Sequence, residues 1–376
     1  MLTKIAIRNY NCFGDVTLEL PRRLLLVGSN GSGKTSLWEV LVGLQDLIVR
    51  GADVADVFPT RSLTRWVAHE GIQRFAIDVE VGAHTYSYSL ELQHDMERQT
   101  ASILEEQLTL GRQVLYENKN GEVRIYGDVP RADGEARTVF PFGRKRSFLP
   151  DIESRSDNTH IMAFSEALGG FWLIKHAPSQ IVSTSAEEGG WLERDGSNFA
   201  SWFRGVLADR PEVGGVLNGL LRQALPGFRK FAFERISKKV RELMLHFNAV
   251  GQAYSLSASE LSDGQRSLLL LYGLILGAFD HSGLAFLDEP EIGLAPHEMQ
   301  PWLAQAAAAL EEHDGQMIVI SHHPAVIDYL APERTLRFVR ERGGQTRVEE
   351  VTLETTGGVN VSEWLSIPWV YEDEHG

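Results

Sequence analysis

Apolar positions along the chain recur with two periods, and the elements change where the period switches. The run LLLV (Leu24 to Val27) is short and continuous, the pattern of a buried strand, and SLWEVLVGLQDLIV from Ser36 places its apolar residues at helical spacing. Between about 72 and 128 the runs RFAIDVEV, TYSYSLEL, ASILEEQLTL, QVLYENK and GEVRIYG alternate with period two and are separated by glycine or polar turns, which predicts an antiparallel sheet. Residues 129–158 are rich in proline, glycine and charge without a period and read as a long loop. Helical spacing dominates from Thr159 to about Leu225, with Ser197 the expected N-cap of NFASWFRGVLA and Pro226-Gly227 closing the next helix. Residues 228–256 return to strands, and the spacing of Phe228, Phe231 and Phe233 there is that of a half-buried strand. LLLLYGLILGAF (Leu268 to Phe279) then reads as a buried helix, followed by the strand LAFLDE, the amphipathic MQPWLAQAAAALEEH and the strand IVISHH. The expectation is an α/β protein with its core in residues 1–50 plus 257–350, an antiparallel β lobe at 72–128, a loop at 129–158, a helical lobe at 159–256 and a tail at 351–376.

Chemistry is concentrated where these strands end. After LLLV comes GSNGSGKT (Gly28 to Thr35), a GxxxxGK[ST] loop whose glycines let successive N–H groups turn inward around phosphates. Lys34 adds a point charge, the Thr35 hydroxyl reaches Mg²⁺, and the following helix points its N-terminus at the anion. Gly28, Asn30, Gly31, Gly33, Lys34, Thr35 and Ser36 are therefore the candidate nucleotide-binding residues. Asp288, at the tip of LAFLDE, is placed to hold Mg²⁺ through water, and Glu289 to orient or deprotonate the attacking water. His322, at the end of IVISHH, is placed to hydrogen-bond a γ-phosphate or that water, although a histidine at a strand end is more often an ordinary cap or surface residue. By itself LSDGQ (Leu261 to Gln265) is no more than an Asp/Ser helix cap.

In their order, GSNGSGKT, LSDGQ, LDEPE and SHH resemble the ATP-binding-cassette ATPases. Within that superfamily the chain is similar to the RecF, SMC and OLD-like branch, through IRNYNCFGDVTLEL, LERDGSNFASWF and DEPEIGLAP. The resemblance implies a P-loop ABC-type ATPase head with a mixed β-sheet core, an antiparallel β lobe and a helical lobe, using ATP and Mg²⁺. It also implies a homodimer formed on ATP binding, in which Ser262, Gly264 and Gln265 of one head complete the phosphate site of the other. Asp263 departs from the commoner glycine: it adds a negative charge near a phosphate, and its side chain is a candidate cap for the helix. Ala295-Pro296 stands where many relatives carry a histidine, and Asn11 and Cys12 stand where break-repair relatives carry an arginine. The glutamine that senses Mg²⁺ in the family has five positional candidates here, Gln73, Gln93, Gln107, Gln113 and Gln180.

Composition narrows the setting. With 376 residues, 43% hydrophobic and 23% charged, the chain can bury a large core, and its single cysteine, Cys12, excludes an intramolecular disulfide. The N-terminus has no signal-peptide core and no apolar run reaches the ~20 residues of a membrane span, so a cytoplasmic protein without membrane attachment is expected. A net charge of −15 disfavours general adhesion to DNA and leaves two local basic patches, Arg144 to Arg146 and the run from Arg229 to Arg241. No sustained heptads predict coiled-coil arms, and residues 323–376 hold no DxD or Cys/His framework, so a nuclease or other effector is expected on a separate chain. The resulting expectation is an ATPase that switches a DNA- or partner-binding surface in DNA maintenance or anti-phage defence. Its rivals are the nucleotide-binding subunit of a transporter and an ATP-dependent scaffold that hydrolyses weakly.

Overall fold

The alternating segments of the first half pair into one sheet. In the computed structural model, which describes residues 1–66, 71–278 and 283–367, the chain forms two units. The first comprises Met1–Phe171, Arg334–Gly358 and the segment from Trp364, and the second Trp172–Glu333 with Val359–Glu363. In the first unit β1 (Leu2–Tyr10) and β2 (Phe13–Glu19) make a hairpin, and β3 (Arg23–Gly28) leads through the glycine-rich loop into α1 (Lys34–Ile48) and the short α2 (Val54–Val57). There follow β4 (Ile72–Val81), β5 (His84–Asp95), β6 (Thr100–Leu110), β7 (Gln113–Lys119), β8 (Glu122–Ile125) and β9 (Thr138–Pro141). These join the hairpin in an eight-stranded antiparallel sheet, order β2-β1-β4-β5-β6-β7-β8-β9. Period-two alternation puts Tyr86, Tyr88, Leu90 and Leu92 of β5 on the buried face, where Phe164 of α3 (Thr159–Gly169) stacks 5.8 Å from Tyr88.

Two expectations are corrected here. The stretch 129–158 is not a free loop, because β9 pairs with β8 and the following residues are pinned to β6. The Ile103 N–H donates to the Arg144 carbonyl and Arg144 Nε donates to the Ile103 carbonyl, and the Ser147 hydroxyl donates 2.6 Å to the buried Glu106 carboxylate, which also accepts from Tyr88 and Tyr116. An isolated sequence window shows no period for such a segment because its order comes from a neighbouring strand. The stretch 159–256 is not one lobe either: α3 packs on the β4–β7 sheet and belongs to the first unit.

The second unit opens with β10 (Trp172–Ile174) and β11 (Thr184–Ser185), then α4 (Phe199–Asp209) and α5 (Val213–Ala224). The N-cap of α4 is Asn198, not Ser197, and its side chain is turned back to the Glu193 N–H. The antiparallel β12 (Phe228–Arg235), β13 (Arg241–Ala249) and β14 (Gln252–Ser257) follow, with Phe228, Phe231 and Phe247 buried. α6 (Asp263–Ala278) is buried through the run Leu268 to Leu271, and leads to β15 (Leu284–Asp288), α7 (Pro296–His313), β16 (Gln316–Ile320) and α8 (Pro324–Leu330). β10, β15 and β16 are parallel neighbours, apolar except for Asp288 at the end of β15 and Gln316 at the start of β16, the composition of strands covered on both faces.

The chain then returns to the first unit. β17 (Thr335–Val339) lies parallel to β3, from Thr335 opposite Leu25 to Phe338 opposite Gly28, and β18 (Arg347–Val351) runs antiparallel on its other side. In the tail, Trp364 lies under the Arg337 guanidinium at 5.4 Å, while Trp369 falls outside the described residues. Among the described residues no helix is long and apolar enough to cross a membrane.

Candidate nucleotide site

In the first unit the glycine-rich loop is braced from below by distant parts of the chain. Gly33 is the N-cap of α1 at φ 110°, and a Cβ there would lie 2.6 Å from Cys12 Sγ, so only glycine fits. The Thr346 hydroxyl donates 2.6 Å to the Ser32 carbonyl, and Arg340 Nη1 donates 2.8 Å to the Gly31 carbonyl. Lys34 Nζ donates to the Gly28 and Ser29 carbonyls at 2.7 and 2.9 Å, spanning the loop. Asn30 is exposed, and the Ser36 hydroxyl accepts from Asn11 Nδ2 at 3.3 Å. No side chain caps α1, and no acidic residue lies in its first turn. The N-terminus of this 15-residue helix therefore suits an anion, and the Ser32 hydroxyl is buried without a partner. The loop therefore fits a nucleotide phosphate.

Beside it lies a cavity of about 250 Å³ lined by Asn11, Gly31, Ser36, Arg61, Arg65, Trp66 and Arg340, with the Arg340 guanidinium 4.9 Å over the Trp66 ring. Arg61, Arg65, Trp66 and Arg340 were missed by sequence reasoning, since no local motif marks them and Arg340 is 309 residues from the loop it contacts. Gln73, one of the five candidate glutamines, is committed elsewhere. It is fully buried, donates to the Asn9 and Ser62 carbonyls and meets His94 through its oxygen.

In the second unit the carboxylates emerge at the tip of β15. Asp288 is only 2% exposed and pairs with Lys175 Nζ at 2.9 Å, a partner no motif announced. Lys175 directly follows β10, whose Ile174 lies opposite Leu287, so parallel pairing brings the ammonium level with the next residue, Asp288. Glu289 has a left-handed backbone, φ 52°, costly for a non-glycine residue, and its N–H is held by the Ile320 carbonyl. His322 Nε2 lies 4.0 Å from Glu289 Oε1, so the two candidate catalytic side chains do converge, both partly exposed. Glu291, which the motif reading passed over, sets that geometry: its Oε1 accepts from the Ser321 hydroxyl at 2.7 Å and the His322 N–H at 3.1 Å. Burial pushes the Glu291 carboxyl above its ordinary range. His323 caps α8 by accepting from the Ala325 N–H.

Among the described residues no group of three or more His, Cys, Asp or Glu side chains is arranged to hold a metal. One buried carboxylate such as Asp288 matches Mg²⁺, which takes one or two carboxylates and completes its shell with water and substrate phosphates.

LSDGQ behaves at once as a cap and as a junction. Ser262 and Gln265 cap each other, Ser262 N–H to Gln265 Oε1 at 3.1 Å and Gln265 N–H to Ser262 Oγ at 3.3 Å. Asp263 is therefore not the cap, and its charge is met by Arg266 at 3.5 Å. Gly264 is also a point of close approach, where a Cβ would sit 2.5 Å from the Gly293 carbonyl. Behind the junction His176 Nε2 meets Ser267 Oγ at 3.1 Å, and burial depresses the imidazole pKa to about 4.

Comparison with solved structures places the fold. An SMC head bound to the C-winged helix domain of ScpA is similar with a TM-score of 0.59 and 14% identity, covering 95% of this chain and 99% of that one. An SMC head domain with an extended coiled coil, bound to the C-terminal domain of ScpA and derived from Pyrococcus furiosus, gives 0.54 and 11%, covering 94% and 96%. Comparison with curated proteins returned no match. The fold is thus that of an SMC-like P-loop ATPase head, of mixed α/β class. The family model described as "AAA domain, putative AbiEii toxin, Type IV TA system" matches residues 24–328, from the strand before the phosphate loop to beyond His322, and the chain belongs to this family of AAA-type ATPase domains.

Proposed function

We propose that the protein hydrolyses ATP and uses the cycle to form a homodimer that switches a DNA- or partner-binding surface, in DNA maintenance or anti-phage defence beside a separate effector. Convergence of Glu289 and His322 at adjacent strand ends, 4.0 Å apart and next to buried Asp288, is the observation that carries this reading. Lys34 and the N–H groups at the start of α1 hold phosphate, while Thr35 and Asp288 hold Mg²⁺. Mg²⁺ neutralises charge on the phosphates. Glu289 orients the attacking water and accepts its proton, His322 bonds the terminal phosphate, and Ser262 and Gly264 with Gln265 approach from the other head. The cavity at Trp66 takes the nucleoside end, with the indole as its stacking surface.

A scaffold that binds ATP and hydrolyses it weakly is the alternative, motivated by Asp263 and the net charge of −15. Glu289→Gln tests the proposal: turnover falls ~10²–10⁴-fold, the range of a lost general base. Light scattering of the variant shows a doubled mass only with Mg·ATP. Equal turnover in variant and wild type removes Glu289 from catalysis, and an unchanged mass under all conditions removes the homodimer.

A further inference from the structure

The two basic patches have different fates. In the first, Arg144 donates its guanidinium to the Ile103 carbonyl and Arg146 pairs with Asp151, while Lys145 is held only through its backbone carbonyl, which accepts from the Val54 N–H. In the β12–β13 hairpin Arg235 Nε donates to the Ser237 carbonyl and Arg241 Nη1 to the Phe233 carbonyl, contacts within the hairpin that leave both charges without a counter-charge. Arg229, Lys230, Arg235, Lys238, Lys239 and Arg241 are all exposed, and among the described residues none of them forms an ion pair. On the same strands Glu242 accepts from the Ser183 hydroxyl, and Glu234 lies 3.3 Å from His246 Nε2. Register places Arg235 directly opposite Arg241. Like charges in that position destabilise a strand pair, and this chain, with 51 acidic residues, has nevertheless concentrated cations there.

The tip itself is built. Ile236 and Ser237 donate backbone N–H to the Val240 carbonyl, the Val240 N–H donates to Ser237 Oγ, and Ile236 stands 55% exposed between the cations. We propose that this hairpin is the nucleic-acid-binding element of the protein, a two-stranded ribbon that meets the phosphates of B-form duplex DNA with its six cations and presents Ile236 as an apolar contact at its tip. A two-stranded ribbon fits the major groove of B-DNA, whereas the deep, narrow groove of A-form RNA excludes it. The inference gives a place to the DNA-binding surface proposed above and does not depend on the hydrolytic chemistry.

Full-length protein, with and without Mg·ATP, is titrated against a fluorescein-labelled mixed-sequence duplex over a salt series. Each lost phosphate contact reduces the salt slope by about 0.9, so Lys238→Gln/Lys239→Gln reduces it by about 2, and the wild-type advantage shrinks about tenfold between about 50 and 200 mM salt. Arg235→Gln/Arg241→Gln weakens binding too, yet raises the melting temperature by removing the cross-strand repulsion, a sign that a purely structural role would reverse. An unchanged slope and affinity in both variants overturns the proposal, as does duplex RNA or polyglutamate bound as tightly as DNA. Turnover is read on the same proteins without DNA. Turnover in the wild type with an unchanged slope in the variants sinks the hairpin alone, and no turnover in the wild type with a reduced slope in the variants sinks the ATPase reading alone.

Discussion

Replacing Lys175 by Met removes an ammonium 2.9 Å from a carboxylate that is 2% exposed. At that separation the Coulomb energy is about 1.4 kcal/mol in water and about 6 kcal/mol at an effective dielectric of 20. Breaking a fully buried pair costs about 3–5 kcal/mol, because one charge is left uncompensated. The Lys175 side chain is 49% exposed, so water already screens part of the attraction. A loss of ~1–3 kcal/mol follows from discounting the buried figure by about half. The same arithmetic reverses on metal binding. In the wild type an arriving Mg²⁺ competes with the ammonium for Asp288, whereas in Lys175→Met the charge is waiting, and each 1.4 kcal/mol recovered is a tenfold gain in affinity. The assay is thermal melting at fixed ADP with Mg²⁺ titrated. Lys175→Met is expected to melt several degrees lower without Mg²⁺ and to reach its Mg²⁺-stabilised plateau at about tenfold lower concentration. Equal melting and an equal Mg²⁺ midpoint refute the reasoning, and a lower melting point with an unchanged midpoint leaves Lys175 purely structural.

Gly264→Ala drives a methyl to 2.5 Å from the Gly293 carbonyl and costs ~1–3 kcal/mol through backbone displacement, read as a lower urea midpoint, and full stability means the two segments separate freely. His176 gives a pH dependence of known sign. With a folded pKa of about 4 against 6.5, the unfolded chain binds more protons between those values, so stability falls as pH drops through that window, by about 3 kcal/mol in total. Urea melts from pH 7 to pH 4 check this against His176→Gln, whose curve is flatter by that amount, and parallel curves contradict it.

Local periodicity made most elements legible. The 23–48 strand-loop-helix and the alternating runs of β4 to β8 could be read because each residue's face is set by its immediate neighbours. The segment 138–149 could not, since its order comes from β8 and from the carboxylate of Glu106. The same division holds at the candidate site. GSNGSGKT, LSDGQ and DE are contiguous because backbone N–H groups and strand tips must be adjacent in sequence to act together. Their supports, Thr346 and Arg340 under the loop and Lys175 beside Asp288, come from remote segments.

By itself, then, the sequence determined the phosphate loop, the ends of the apolar strands that carry Asp288, Glu289 and His322, and the α/β class, all consequences of short-range backbone geometry. Tertiary structure alone decided which charges are answered. Asp288 meets Lys175 and the Arg144 guanidinium meets the Ile103 carbonyl, while the hairpin cations from Arg229 to Arg241 are left facing solvent. The reason is that an ion pair depends on distance in space, and a chain that reverses at every turn brings charges together without regard to their separation in sequence.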